Sequence, residues 1–212
     1  MNKRIKLELK KLKQQEARLI RLAGLGMQAD QGAMFPFDFW TNAAINRGIQ
    51  LSSGFRSSIK KHNAICSGAL LRLQIDTALR YSAGWLVQDP HGFVGRVMSG
   101  EQINRMKDRS GEVMTDSYLV KVLSVEHPWI TEVYKRTSSY VHFSDTHIWS
   151  TLYELEGTEN RRVKTKVGAE DKEGLSDLYM EMVMAFQAAT TVLINYVEGW
   201  VFTKEAVGQR KI

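Results

Sequence analysis

The chain has 212 residues, 43% hydrophobic and 25% charged, with three prolines, 16 glycines and a formal net charge of +6. Such values exclude a disordered or collagen-like chain and leave enough apolar residues for a sizeable core, as one domain or a domain with an extension. A single cysteine, Cys66, excludes an internal disulfide and a cysteine-based zinc site, which fits a reducing, cytoplasmic setting.

The charge is concentrated at one end. Residues 1–21 hold Lys3, Arg4, Lys6, Lys10, Lys11, Lys13, Arg18 and Arg21 against Glu8 and Glu16, a net +6 that equals the charge of the whole chain. Ile5, Leu9, Leu12, Leu19 and Ala23 recur there at helical spacing. They predict a basic amphipathic helix within 1–28 that packs on the body or on a partner, with a nucleic-acid arm and a membrane-surface helix as alternatives. Lys10 and Lys13 are its candidates for phosphate contacts. Glu16 interrupts the apolar seam, so a long coiled coil is not expected. Gly24, Gly26 and residues 28–32 read as a joint, and a helical domain is expected over 29–212.

Residues 35–40, Phe-Pro-Phe-Asp-Phe-Trp, form an aromatic cluster that should anchor a helix to the core, with Asp38 as N-cap of a helix from Phe39 to about Leu51. A longer helix is predicted over about 55–87, with Ile59, Leu70, Leu73, Leu79 and Trp85 on its apolar surface and Cys66 buried. Arg72, Asp76 and Arg80 project from one side of it, as a surface ion-pair ladder or as a polar network inside the bundle. Shorter helices are expected at 93–98, from about 99 to 107 and at 117–125. Another starts after Pro128 and frays near Phe143.

Alternation in 148–155 and 162–167 around Gly157 predicts a β-hairpin, with Arg162, Lys164 and Lys166 along one face. Arg162 and Lys164 join Lys10 and Lys13 as nucleic-acid candidates. The last helix, from about Gly174 to Lys204, has the clearest core stripe: Met182, Phe186, Ala189, Leu193, Val197 and Trp200. Gln187, Asn195 and Glu198 in its most apolar window suit a buried helix rather than a membrane span, so no membrane partner is expected.

Phosphate-loop motifs, CxxC pairs and GxSxG are missing from the sequence. His142, Asp145 and His147 lie close together without a third histidine, so neither a metal nor a cofactor is expected. What remains is Arg136-Thr-Ser-Ser-Tyr-Val-His142. Arginine offers a fixed charged fork to two phosphate oxygens, and an imidazole can take and return a proton near neutral pH. RNA carries its own nucleophile, the 2′-hydroxyl, so this pair is a kit for metal-free cleavage. Arg136 would stabilise the charged phosphorane and His142 would be acid and base. Ser138 or Ser139 would orient the imidazole, and Tyr140 would pack against a base. At 100° per residue Arg136 and His142 do not share a helix face, so joint action requires the helix end to unwind or two chains to share a site. The plainer alternative pairs Arg136 with an acid such as Asp76 and leaves His142 capping its own helix.

The run Tyr134-Lys-Arg-Thr-Ser-Ser-Tyr-Val-His-Phe-Ser144 resembles the R-x4–6-H helix of the HEPN superfamily, in particular bacterial members of unknown function. The helix holding Asn63, Arg72-Leu-Gln-Ile-Asp76 and Arg80 resembles the second helix of that group. The likeness covers roughly residues 40–205. It implies an all-α, up-and-down helical bundle, here with a small β-hairpin inserted before the last helix. It further implies a homodimer in which Arg136 and His142 of both chains face one groove, supported by Arg72, Asp76, Ser139 and Tyr140. Many members are metal-independent ribonucleases of toxin–antitoxin or defence systems, which implies an RNA substrate and an antitoxin or other partner protein. Others are non-catalytic modules that dimerise or bind a partner protein or nucleotide. Thr137 departs from the pattern, since active members often carry Asn, Asp or His after the arginine.

Overall fold

The computed structural model describes residues 2–155 and 163–209. Asn2 caps the first helix by accepting the Arg4 N–H at 2.9 Å, and α1 runs over Lys3–Gln28. Ile5, Leu9, Leu12, Leu19 and Leu22 form its buried stripe. The expected joint at Gly24 and Gly26 is instead helix. Gly26 lies under Val201, and its carbonyl accepts from Lys204 Nζ at 2.8 Å, so tertiary contacts outweigh the helix-weakening of glycine. The chain turns at Asp30–Gly32, where three consecutive residues take positive φ.

Helix α2 spans Pro36–Lys60. Asp38 is not its N-cap but sits inside the first turn, accepting the Phe35 N–H at 2.8 Å. The helix also does not stop near Leu51. Ser52, Phe55, Ser58 and Ile59 continue its inward stripe through Ser52-Ser-Gly54. The break falls at residues 61–63, where His62 has φ +52°, and Asn63 then caps α3, Ala64–Leu86, by accepting the Cys66 N–H at 2.9 Å. This start fixes the phase of α3: Ser67, Gly68, Leu71, Gln74, Ile75 and Ala78 face inward. Cys66 and Leu73 are therefore exposed, correcting the expectation that both are core.

Next come α4 (Pro90–Met98), α5 (Asp116–Ser124) and α6 (Trp129–Val141). The helix expected from about 99 to 107 is only a 3-10 turn at Ile103–Arg105. A short α7, Asp145–Thr151, leads into β1 (Leu152–Leu155), which pairs antiparallel with β2 (Val163–Thr165). The hairpin forms, but 148–151 belong to α7 rather than to its first strand. The hairpin tip and Arg162 lie outside the described residues. Helix α8 closes the chain over Ser176–Gln209.

The long helices alternate in direction, giving the all-α up-and-down bundle. Glu16 meets Arg56 across α1 and α2, and Ser58 meets Ser67 while Thr41 meets Tyr81 across α2 and α3. Arg72 reaches Tyr134 and Ser138 as α6 runs back along α3, and Gln74 meets Thr190 on α8. One hydrophobic cluster joins residues from α1 through α8, with Phe55 and Phe186 stacked at 4.2 Å.

Glu16, expected only to interrupt a seam, accepts from Ser52 at 2.6 Å and from Arg56 at 2.9 Å. At the far end Lys204, 2% exposed, lies 2.9 Å from Asp38 Oδ2, while Trp200 Nε1 donates to Asp38 Oδ1 at 2.7 Å. That buried node ties the end of α1 to α2 and α8. Among the described residues α8 alone is long and apolar enough to cross a membrane by length and composition, and 50% of its most apolar window is buried in the bundle.

Candidate functional site

Helix α6 carries the Arg136–His142 motif, and α3 sets its position. Arg72 Nη1 donates to the Tyr134 carbonyl at 2.9 Å and to Ser138 Oγ at 2.6 Å, and its guanidinium lies 3.3 Å from the Tyr134 ring centroid. Such a stacked, forked contact fixes both the height and the rotation of α6. Below it Gly68 lets the two helices close. A Cβ at that position would fall 2.3 Å from the Tyr140 ring, so Tyr140 packs flat on the α3 backbone. Tyr140 is thus first a packing residue of the α3–α6 contact. Its hydroxyl pKa is raised, chiefly by burial; Arg136 opposes the shift and the charges of Asp171 and Glu181 add to it.

Between α6 and α8 lies a groove of about 320 Å³. Leu71, Leu178, Met182 and Ala185 give it an apolar floor, and Arg136, Ser139, Tyr140 and Glu181 a polar rim. The structure therefore brings Arg136, Ser139 and Tyr140 together. Arg136 Nη2 stands 3.4 Å from Glu181 Oε2, with side chains 59% and 63% exposed. An ion pair that wet is weak and opens readily to a competing anion. Asp76 is not its partner. Asp76 accepts from Arg80 at 3.4 Å, and Arg80 also binds Asp116. Arg72 and Asp76 thus serve two different contacts, one holding α6 and the other holding the start of α5.

His142 lies outside this groove's lining. Helix α6 ends at Val141, and His142 has extended backbone angles, φ −108° and ψ 138°. The imidazole is exposed, between exposed Val141 and Phe143 in the chain, and Ile148 and Trp149 on α7 are exposed as well. Neither serine orients it: Ser138 holds Arg72, and Ser139 Oγ donates to the Arg136 carbonyl at 2.8 Å. Thr137, 3% exposed, turns its hydroxyl back on the Val133 carbonyl at 2.6 Å. His147 accepts the Ser144 N–H at 3.2 Å as part of the α7 cap. Among the described residues no group of three or more His, Cys, Asp or Glu is placed to hold a metal ion.

Lys10 and Lys13 are exposed on α1, far along the chain from the motif, and Lys164 is exposed on β2 opposite Glu154 in the strand register. Sequence reasoning missed Glu181 and Gly68, whose roles depend on which helix faces meet. It also missed a cluster at the mouth of the α2–α3 turn. There Asp171 accepts the Ala64 N–H at 2.6 Å and the Tyr179 hydroxyl, and Tyr179 packs edge-on to His62. Burial and the Asp171 hydrogen bond push the Tyr179 hydroxyl pKa well up. The chain matches no protein-family model, no curated protein and no solved structure.

Proposed function

We propose that the chain is a HEPN-like, metal-independent endoribonuclease acting as a homodimer, in the role of a toxin or defence effector. The observation that carries this reading is the end of α6. The helix stops one residue before His142, so the imidazole leaves the helical phase that would separate it from Arg136. Arg136 meanwhile stands at the rim of an open groove, opposed only by a solvent-exposed carboxylate that an RNA phosphate can displace.

Because His142 does not line the groove of its own chain, the imidazole serving each groove comes from a second copy. Val141, Phe143, Ile148 and Trp149 supply apolar surface for that contact. The 2′-hydroxyl attacks the adjacent phosphorus as His142 takes its proton, and Arg136 holds the charged non-bridging oxygens. The P–O5′ bond breaks with a proton returned to the leaving oxygen. The products are a 2′,3′-cyclic phosphate and a 5′-hydroxyl.

The Arg136–Glu181 pair and the inward turn of Thr137 favour a second reading, a non-catalytic helical module for dimerisation or for binding a partner protein or nucleotide. RNA incubated with the chain in EDTA separates the two. A nuclease leaves cyclic phosphate ends, and Arg136→Ala or His142→Ala lowers the rate by about 10²–10⁴ with the fold intact. Mixing the two inactive variants then restores partial activity, because a mixed dimer keeps one complete site. Absence of cleavage at every protein concentration leaves the module reading.

A further inference from the structure

We propose that the outer face of α1 is a docking surface for the sugar–phosphate backbone of single-stranded RNA. It is a separate site from the α6–α8 groove and stands whether or not that groove cuts RNA. Lys3, Lys6, Lys10 and Lys13 recur at three- and four-residue spacing, so they form one row along the helix, and Arg21 extends that row. All five are exposed, and among the described residues none has a hydrogen-bond or ion-pair partner through its side chain. From Lys3 to Arg21 the row is about 27 Å long at the α-helical rise.

The acids of α1 have been taken off this face. Glu8 is held by Lys11 at 2.8 Å and by Gln187 at 2.9 Å, and Glu16 by Arg56 and Ser52 on α2. The charge outside residues 1–21 sums to zero, so α1 carries the +6 of the chain, with five of its eight cations in this row. The apolar face is occupied too. Ile5, Leu9, Leu12, Leu19 and Leu22 are at most 7% exposed within the core, so α1 has no hydrophobic face left to sink into a bilayer. The exposed Leu7 and Leu25 fall on one edge of the row and Ile20 and Met27 on the other, so they form no continuous face. A straight, purely cationic row matches a linear polyanion whose charge repeats along its length. It carries no aromatic side chain to stack on bases and a single amide, Gln14, so binding is to the backbone and largely independent of sequence.

The test uses the full chain and a fluorescein-labelled 20-nucleotide single-stranded RNA of mixed sequence, followed by anisotropy at several KCl concentrations. Five phosphate contacts give a slope of log K on log salt of about −3.5. In the quadruple variant Lys3→Gln, Lys6→Gln, Lys10→Gln, Lys13→Gln the slope flattens by about 3, and affinity at low salt drops at least tenfold. These side chains are exposed and unpartnered, so the thermal unfolding curve should be unchanged, which checks the fold. A matched variant carrying Lys60→Gln, Lys61→Gln, Lys107→Gln and Lys121→Gln keeps both slope and affinity. Equal losses in the matched variant, an unchanged slope in the α1 variant, or binding to phosphatidylserine vesicles in place of RNA would each overturn the proposal.

Discussion

Gly68→Ala sets a methyl group against the Tyr140 ring. The added Cβ would lie 2.3, 2.4 and 2.8 Å from three ring carbons, whereas carbon contacts settle at about 3.5–4.0 Å. Relief requires α6 to lift from α3 by more than about 1 Å or Tyr140 to swing away, and overpacking of this kind costs about 1–3 kcal/mol. Tyr140→Ala removes a half-buried ring, a loss of about 2 kcal/mol, below the range for fully buried aromatics. In the double variant the new methyl meets no ring, so the loss should be that of Tyr140→Ala alone. The double-mutant cycle therefore predicts a coupling of about 1–3 kcal/mol, read from urea unfolding of all four proteins by circular dichroism. Additive losses, or a Gly68→Ala midpoint equal to that of the parent, would refute the packing described for α6. Since Arg136 lies one turn from Tyr140 on the same helix, RNA cleavage should fall with Gly68→Ala although the substitution touches neither reacting group.

Lys204→Met keeps the aliphatic stem but leaves the buried Asp38 carboxylate with only Trp200 Nε1 and the Phe35 N–H as donors. The expected loss is about 3–5 kcal/mol, a fall in Tm of roughly 10 °C by calorimetry, and a loss under about 1 kcal/mol would mean that Asp38 reaches water. Asp108 supplies a pH dependence. Burial raises its pKa, but hydrogen bonds from Tyr118, Ser110 and the Glu112 and Ser110 N–H groups outweigh this and bring it to about 2. A carboxyl depressed in the folded state stabilises above its ordinary value near 3.8, and that contribution disappears as pH falls toward 2. Acid titration of the parent should therefore show a steeper loss of stability across pH 4 to 2 than Asp108→Asn, and identical acid limbs would count against the depressed carboxyl.

Some elements could be read from periodicity alone because their inward residues are apolar throughout. The α8 stripe from Met182 to Trp200 and the α1 stripe from Ile5 to Leu19 are both buried as their spacing implies. The α2–α3 boundary was not legible, because Ser52-Ser-Gly54 has the composition of a turn. Ser52 is nevertheless buried beneath Glu16, and the helix runs through on tertiary contacts. Buried polar nodes such as Lys204–Asp38 were equally hidden: a lone lysine near a helix end carries no local sign that its partner lies on α2. The site was half legible for the same reason. Arg136, Ser139 and Tyr140 are neighbours on one helix, but their roles depend on Gly68 and Glu181, which reach them only through the packing of α3 and α8.

The corner at residues 142–144 sets where His142 lies relative to Arg136, and its cause is local. Continued helix would leave His142 about 240° around the axis from Arg136, fixed on the wrong side. Instead Ser144 Oγ donates to the Ser139 carbonyl at 3.1 Å, taking the acceptor that the next helical N–H would need. Ser144 and His147 at the same time cap α7, so a second helix begins before the first could extend. His142 is left at the junction of two helices whose ends are each satisfied by neighbouring side chains rather than by its own. Its direction is therefore set by the corner and not by helical phase, and the exposed Val141 and Phe143 on either side give that corner an apolar shoulder. A second copy seated on this shoulder would bring His142 toward the partner's groove, whereas in the single chain the imidazole faces solvent. The position of His142 is thus the reason that the mixed-variant experiment, and not either substitution alone, tests whether a site is shared between copies.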